Sequence, residues 1–283
     1  MRSPERSLEA RQPWLVGSKH MAMTERNHQE LARVLDVARL EAREIPPLTQ
    51  THGELPMRDA YSVQAEGIRL RTARGERVVG MKMGFTSEAK RQQMNLNSPI
   101  YGVLTDRMQI PAGGVFRMQG SIHPKIEPEI AFRTSRELSG RITREQALDA
   151  CPVAMAAMEI LDSRYVGFKY FSLPDVVADN SSSSMFVLSP NERPSRELDL
   201  LRLQMTMEVN GEPVASALSS AISGDPLLSV VQLCELLTER GESIPAGSIV
   251  LSGAATAAHM MKAGDQVRLT VEGLGSLSVS VAP

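Results

Sequence analysis

The segment Ile126-Glu127-Pro128-Glu129-Ile130 constrains what this chain can fold into more than any other. In an extended stretch successive side chains alternate faces, so Glu127 and Glu129 share one face, about 7 Å apart along the chain, while Ile126, Ile130 and Phe132 are left for burial. Two carboxylates so close repel unless a cation neutralises them, and Glu159, in Met158-Glu159-Ile160-Leu161-Asp162, supplies a third. Oxygen-only ligation suits Mg²⁺ or Mn²⁺ better than Zn²⁺, which usually recruits His or Cys, and no His-plus-Cys cluster with ligand spacing occurs in the sequence. A metal-dependent enzyme is therefore the leading expectation. The competing reading makes Glu-x-Glu a solvated strand face, with Pro128 marking an edge strand or a bulge because proline cannot donate to a ladder.

Composition narrows the class. With 283 residues, 42% apolar and 23% charged, the chain is long and apolar enough for a sizeable core. A formal net charge of −2 gives no electrostatic reason to expect nucleic acid or an anionic membrane surface as partner. Cys151 and Cys234 sit among apolar neighbours and read as buried thiols rather than a disulfide, consistent with a reducing cytoplasm. No apolar run approaches the roughly 18 residues of a membrane span, and the first residues lack the apolar core expected of a secretory signal.

Residues 1–24 are rich in Arg, Ser and Pro without periodicity and are expected to be a disordered extension. Residues 25–75 read as an N-terminal helical segment: Leu31, Val34, Leu35, Val37, Ala38 and Leu40 follow helical spacing until Ile45-Pro46-Pro47, and a second helix is expected from Met57 to about Arg74. Residues 76–283 read as a β-rich catalytic domain. Within it, Thr143-Arg144-Glu145-Gln146 is a capping box opening a helix, Pro152 precedes a strand ending near Glu159, and Asn210-Gly211 is a hairpin turn. Pro226 to Arg240 reads as a helix terminated by Gly241.

Among residues with chemistry, Lys82 lies in the apolar run Met81-Lys82-Met83, so it either pairs with a carboxylate, titrates low, or merely faces water on an alternating strand. The run Ser181-Ser182-Ser183-Ser184 concentrates hydroxyls that can bind a carboxylate, or is an ordinary loop. His123 stands near Glu127 and is the one histidine expected to support the site. Nothing matches a catalytic triad, a nucleophile elbow, or a dinucleotide or phosphate loop.

Four motifs in this order carry a family resemblance: Met81-Lys82-Met83-Gly84-Phe85-Thr86-Ser87, His123-Pro124-Lys125-Ile126-Glu127-Pro128-Glu129, Glu159-Ile160-Leu161-Asp162-Ser163-Arg164-Tyr165 and Val177-Ala178-Asp179-Asn180-Ser181-Ser182. The chain resembles the hydratase/decarboxylase family of aromatic meta-cleavage pathways, within the fumarylacetoacetate-hydrolase superfamily, from about Ile45 to Ser276. Ser98-Pro99-Ile100-Tyr101-Gly102, His123-Pro124-Lys125 and Arg164-Tyr165 with Phe168-Lys169 place it nearer the decarboxylase branch than the hydratase branch. The resemblance implies an α+β fold with a distorted, largely antiparallel β-roll core and N-terminal helical segments. It implies Mg²⁺ or Mn²⁺ on Glu127, Glu129 and Glu159, an acid-base role for Lys82, and a catalytic hydroxyl at Ser182 with the register open by one position. Ser181, Ser183, Arg164 and Thr256 are the implied substrate-binding residues, Thr256 within the Leu251 to Ala258 loop. The implied reaction is decarboxylation of a 2-oxo-enedioate, with apolar walls near Phe168, Phe171 and Met185 favouring CO₂ loss. The alternatives are hydration of a 2-hydroxydienoate at the same site and a catalytically idle partner subunit. A small dicarboxylate substrate, a homo-oligomer and a complex with the cognate hydratase are the implied partners; the cytoplasm is the location expected from the composition above.

Overall fold

The computed structural model describes residues 24–86, 98–168 and 172–283. The expected extension before Thr24 lies outside the described residues, as do Ser87, Lys169 and Phe171. Three helices open the described chain: α1 (Glu25–Leu40), α2 (Leu48–His52) and α3 (Met57–Ala73). Thr24 caps α1 by accepting from the Asn27 N–H at 3.3 Å, which satisfies one of the donors a helix start leaves unpaired. Leu31, Ala32, Leu35 and Ala38 form the buried face of α1, which packs on α3. From α3, buried Gln64 donates to the carbonyls of Tyr101, in the strand Ile100–Thr105, and Val177, in the helix Leu173–Ala178, each at 3.0 Å, and so ties α3 to both.

The strands are β1 (Val78–Gly84), β2 (Ile100–Thr105), β3 (Gln109–Ile110), β4 (Val115–Arg117), β5 (Lys125–Arg133), β6 (Val153–Leu161), β7 (Ser183–Leu188), β8 (Arg193–Pro194), β9 (Gln204–Val209), β10 (Glu212–Leu218), β11 (Ile249–Ala254), β12 (His259–Met260), β13 (Gln266–Val271) and β14 (Gly275–Ala282). The larger sheet runs β2-β1-β11-β5-β6-β7-β3, with β12 on β5 and β8 on β6; the smaller runs β10-β9-β13-β14-β4. Both are mostly antiparallel, but β1 with β11, β3 with β7 and β4 with β14 are parallel. The α+β roll is therefore mixed rather than purely antiparallel. Gly80 is needed where β1 meets β11, since a Cβ there would lie 1.9 Å from the Ile249 carbonyl oxygen.

Local chemistry places the connections where the sequence predicts them. The Thr143 hydroxyl accepts from Gln146 N–H at 3.2 Å and the Gln146 side chain accepts from Thr143 N–H at 2.8 Å, closing the capping box of helix Arg144–Ala150. Asn210 (φ 56°) and Gly211 (φ 87°) make the left-handed turn between β9 and β10. Helix Pro226–Thr238 stops shortly before Gly241, at φ 71°. Cys151 and Cys234 are buried free thiols. Among the described residues no helix is long and apolar enough to cross a membrane.

Alternation along β5 and β6 separates two environments. Ile126, Ile130 and Phe132 join Ala154, Ala156, Met158 and Ile160 in the main core, which extends to Met205, Met207, Leu269 and Val279 of the smaller sheet and to the helices. On the opposite face Ala131, Met155 and Ala157 join Leu104, Phe186, Ile249 and Leu251 in a second, smaller core. That face is concave: the edge strand β2 comes back against β7 and the turn at Asn180–Ser182.

Pro128 departs from expectation. It sits in a central strand, between β11 and β6, not at an edge. Its carbonyl accepts from Ala255 N–H at 3.1 Å, just beyond the irregularity in β11 between Leu251 and Ala254. The missing N–H therefore points where β11 has already stopped pairing regularly, and the bulge half of the expectation lies on the neighbouring strand.

Candidate metal centre

The concave face continues from the smaller core into a cluster of charge. Glu127 and Glu159 are direct partners across β5 and β6, and Glu129 stands two residues along on the same face. Each of the three glutamates offers an oxygen within 4.8 Å of the others, and all three are buried. Lys82 enters from β1, with Nζ 3.0 Å from Glu159 Oε2, and is itself 2% exposed. Of the sequence alternatives for Lys82, pairing with a carboxylate is the one found. Burial alone would pull the Lys82 ammonium down, but Glu159, then Glu127 and Glu129, hold it above its ordinary value.

The remaining oxygens show what the cluster is built to hold. Glu159 Oε1 accepts from Ser183 Oγ at 2.7 Å, and Glu129 Oε2 accepts from Gly253 N–H at 2.8 Å. Glu129 Oε1 is buried with no hydrogen-bond partner. An unsatisfied buried oxygen costs free energy unless something coordinates it. Three carboxylates against one ammonium leave two negative charges when all are ionised, and burial together with Glu159 and Glu127 pushes the Glu129 carboxyl well above its usual range. A hard divalent cation fits this oxygen-only set: it supplies Glu129 Oε1 with a partner and balances the charge.

The bulge in β11 is what lets backbone reach Glu129. Gly253 adopts φ +103°, and a Cβ there would fall 2.5 Å from the Thr86 side chain. Ser252 holds the same strand with an Oγ bond to the Ile130 carbonyl at 2.7 Å. Beside the cluster lies a cavity of about 270 Å³, walled by Lys82, Phe85, Thr86, Lys125, Glu127 and Ser181 among others.

The serine run is not a loop. Asn180, Ser181 and Ser182 form a tight turn with φ of 49°, 52° and 57°, and Ser183 opens β7. Three successive non-glycine residues in the left-handed region are strained. They are held by Asn180, which bonds both N–H and C=O of Val103 at 2.8 and 2.9 Å, and by Ser181 Oγ, which donates to the Tyr101 carbonyl at 2.7 Å. Gly102 makes the fit possible, as a Cβ there would lie 2.7 Å from the Asn180 carbonyl oxygen.

The structure thus gathers Lys82, Glu127, Glu129, Glu159 and Ser183, and sets Ser181 on the cavity wall. Ser182 is buried beside it, its carbonyl accepting from Asp162 N–H at 2.9 Å. Thr256 is half-buried and adjoins Ala257 and Ala258 of the wall. Arg164 is not brought to the cavity: it is buried and committed to Asp179, donating to its carboxylate and, at 3.0 Å, to its carbonyl. Burial pushes Asp179 up to about 6 despite Arg164. The expected support from His123 is also absent from the wall, since its ring pairs with Glu44, while its backbone N–H donates to Asp162 at 2.6 Å. Met185 is half-buried and packs against both cores. Lys125 is a charged wall residue to which the sequence assigned no role beyond its place in a motif, although period-two spacing puts it on the face of Glu127 and Glu129.

The fumarylacetoacetate (FAA) hydrolase C-terminal family matches residues 73–282. A 4-oxalocrotonate decarboxylase from Pseudomonas sp. (strain CF600) is 43% identical over 249 residues, 88% of this chain and 94% of the relative. A 2-hydroxyhexa-2,4-dienoate hydratase from Comamonas testosteroni is 37% identical over 84% of this chain and 91% of the relative. Among solved structures, the 4-oxalocrotonate decarboxylase of Pseudomonas putida G7 complexed with magnesium and adipate superposes with a TM-score of 0.89 at 40% identity, covering 92% of this chain and 99% of that one. With the family signature spanning most of the sequence and these relatives matched over nearly their full lengths, the chain belongs to the FAA hydrolase C-terminal family.

Proposed function

We propose that this chain is a metal-dependent carboxy-lyase that converts 2-oxohex-3-enedioate (4-oxalocrotonate) to 2-hydroxypenta-2,4-dienoate and CO₂, in the cytoplasmic meta-cleavage degradation of aromatic compounds. The observation that carries the reading is a buried three-glutamate cluster beside a cavity, in a chain 43% identical over 94% of a 4-oxalocrotonate decarboxylase. Glu127, Glu129 and Glu159 would hold Mg²⁺, the ion of the Pseudomonas putida G7 structure, or Mn²⁺. When bound, the ion supplies a Lewis acid beside the 2-oxo group, whose oxygen gathers the charge left behind by CO₂.

The rest falls to the chain's own residues. Loss of CO₂ breaks the C5–C6 bond and leaves its electron pair at C5, conjugated through C3=C4 to the C2 oxygen, where one proton completes the dienol. Lys82 is the donor of that proton: its ammonium is held at the cavity wall by Glu159 at 3.0 Å. Ser183 fixes the other oxygen of Glu159 and so orients the pair. Ser182 carries the catalytic hydroxyl, with Ser181, on the wall, as the alternative register. The loop at Thr256 offers backbone donors to the substrate carboxylate. Arg164 acts at one remove, anchoring Asp179 at the entrance to the strained serine turn. Ile100, Leu161 and Val176 on the wall keep the departing carboxylate poorly solvated.

A homo-oligomer and an association with the hydratase that consumes the dienol belong to the same reading, and sedimentation velocity with and without that hydratase tests both. The activity test mixes purified protein and Mg²⁺ with 2-oxohex-3-enedioate and follows CO₂ release and ultraviolet loss of substrate, with and without EDTA. Metal-dependent CO₂ release is expected. Metal-dependent consumption of 2-hydroxypenta-2,4-dienoate without CO₂ release would instead assign the hydratase reaction, and neither activity in Mg²⁺-binding protein would leave the idle-partner role.

A further inference from the structure

The cavity holds a second cation that the proposed chemistry does not use. Lys125 opens β5 on the face of Glu127 and Glu129, is half-buried, and forms part of the wall. Its Nζ lies 4.0 Å from the centre of the Phe168 ring, a cation–π contact that holds the side chain in place. Among the described residues no carboxylate forms an ion pair with it, whereas the other wall ammonium, Lys82, is taken by Glu159. A half-buried ammonium facing a cavity is suited to an anion that the cavity admits.

Spacing says which anion. Lys125 stands two residues from Glu127 on one strand face, about 7 Å along the sheet. At about 1.5 Å per carbon–carbon bond, the C6 carboxylate of an extended 2-oxo-enedioate lies about 5 Å beyond C2. With the 2-oxo acid end at the glutamates, the distal carboxylate comes within reach of Lys125. We propose that Lys125 recognises the distal carboxylate of the substrate and thereby sets the preference of the site for dicarboxylates over monocarboxylates. The inference rests on the decarboxylase reading. Once CO₂ departs, the negative charge moves to the C2 oxygen, away from Lys125, so the contact serves binding rather than the chemical step, and loss of this lysine raises KM while leaving kcat unchanged or higher.

The test uses the full Mg²⁺-loaded chain and titration calorimetry with adipate and hexanoate, six-carbon acids with and without a second carboxylate. The wild type is expected to bind adipate more tightly. K125M, and in parallel K125Q, which keeps polarity without charge, should lower adipate affinity about tenfold or more while changing hexanoate affinity less than about threefold, as loss of a charge-assisted bond predicts. K125R should retain the preference. An unchanged adipate-to-hexanoate ratio in a folded K125M or K125Q would overturn the proposal, as would K125R losing as much as K125M, since a positive charge on the Phe168 ring would then not be what confers the preference. A wild type that binds Mg²⁺ but neither binds adipate nor releases CO₂ would overturn the decarboxylase reading beneath it.

Discussion

Glu129→Gln separates holding a metal from holding the fold. The wild-type carboxylate is fully buried, has one oxygen on Gly253 N–H and the other without a partner, and lies within 4.8 Å of two more carboxylates. At that separation each pair of full charges repels by about 3 kcal/mol with an effective dielectric constant of about 20. Burial and that repulsion hold the Glu129 carboxyl well above its usual range, so without metal the wild type relieves them by holding a proton; glutamine keeps the length and an oxygen for Gly253 and carries no charge at all, so without metal the variant should be about as stable as the wild type. With Mg²⁺ at a hundred times its Kd, binding stabilises the wild type by about 2.7 kcal/mol, a rise of roughly 5–10 °C in Tm for a chain of this size. A hundredfold loss of affinity in the variant would leave about 0.4 kcal/mol at the same Mg²⁺ concentration, a shift of roughly 1 °C. Thermal unfolding of both proteins in EDTA and in Mg²⁺, beside the CO₂ assay, measures each term. An equal Mg²⁺ shift in the variant would show that the cation is held elsewhere; a variant several kcal/mol less stable in EDTA would show that the carboxylate is structural.

Other perturbations read neighbouring parts of the same design. Ser183→Ala removes the bond to Glu159 Oε1 at 2.7 Å, a charge-assisted contact of about 1.5–3 kcal/mol, so Mg²⁺ affinity should fall about tenfold by calorimetry; unchanged affinity would mean that Glu159 needs no such support. Gly253→Ala puts a Cβ 2.5 Å from Thr86 at φ +103° and displaces the donor to Glu129, so it should lower stability by about 1–3 kcal/mol and abolish the Mg²⁺-dependent rise in Tm. Asp36 ties α1 to Arg74, with both contacts at 2.7 Å; burial pushes its carboxyl up, but Arg74 and Arg39 outweigh that and hold it below its ordinary value. A depressed folded value means that its contribution is present above the unfolded value and lost as pH falls through the folded one. Asp36→Asn should therefore cost about 1 kcal/mol at pH 7 and less near pH 3 by urea unfolding, and an equal cost at both would remove the ion pair as the cause.

Much of the site was legible because its parts are local. Period-two alternation in Ile126 to Phe132 separates acids from core residues without knowledge of the partner strands, and the structure buries Ile126, Ile130 and Phe132 on the predicted side. The helices, the capping box at Thr143 and the Asn210-Gly211 turn were legible for the same reason, each being decided within a few residues. What failed depended on partners distant in sequence. Pro128 reads as an edge residue only if the neighbouring strand pairs continuously, and here β11 is irregular opposite it. Arg164 looks free to bind an anion until Asp179, fifteen residues on, is found against its guanidinium, and His123 is removed from the site by Glu44, seventy-nine residues away. The serine run reads as a loop because nothing local reveals that Val103 and Tyr101 clamp it in a strained turn.

The deepest dependence is the register of β5 on β6. Glu127 faces Glu159 because Ile130 is set against Ala156 and Phe132 against Ala154, pairs whose side chains lie in the main core. A slip of one residue between these strands would turn Glu159 to the core face and put Ile160 among the carboxylates, exposing each to the wrong environment at once. The apolar residues on one face thus fix the positions of the acids on the other. The same pairing carries Lys125 toward the cavity, because the face that gathers Glu127 and Glu129 cannot present them without presenting the residue two positions earlier. The three carboxylates and the Lys125 ammonium on the cavity wall are therefore set by the one register of β5 on β6, and a substitution such as Ile130→Ala, made in the core, should lower Mg²⁺ and adipate affinity together by calorimetry; a fall in neither would show that the register does not depend on this core residue.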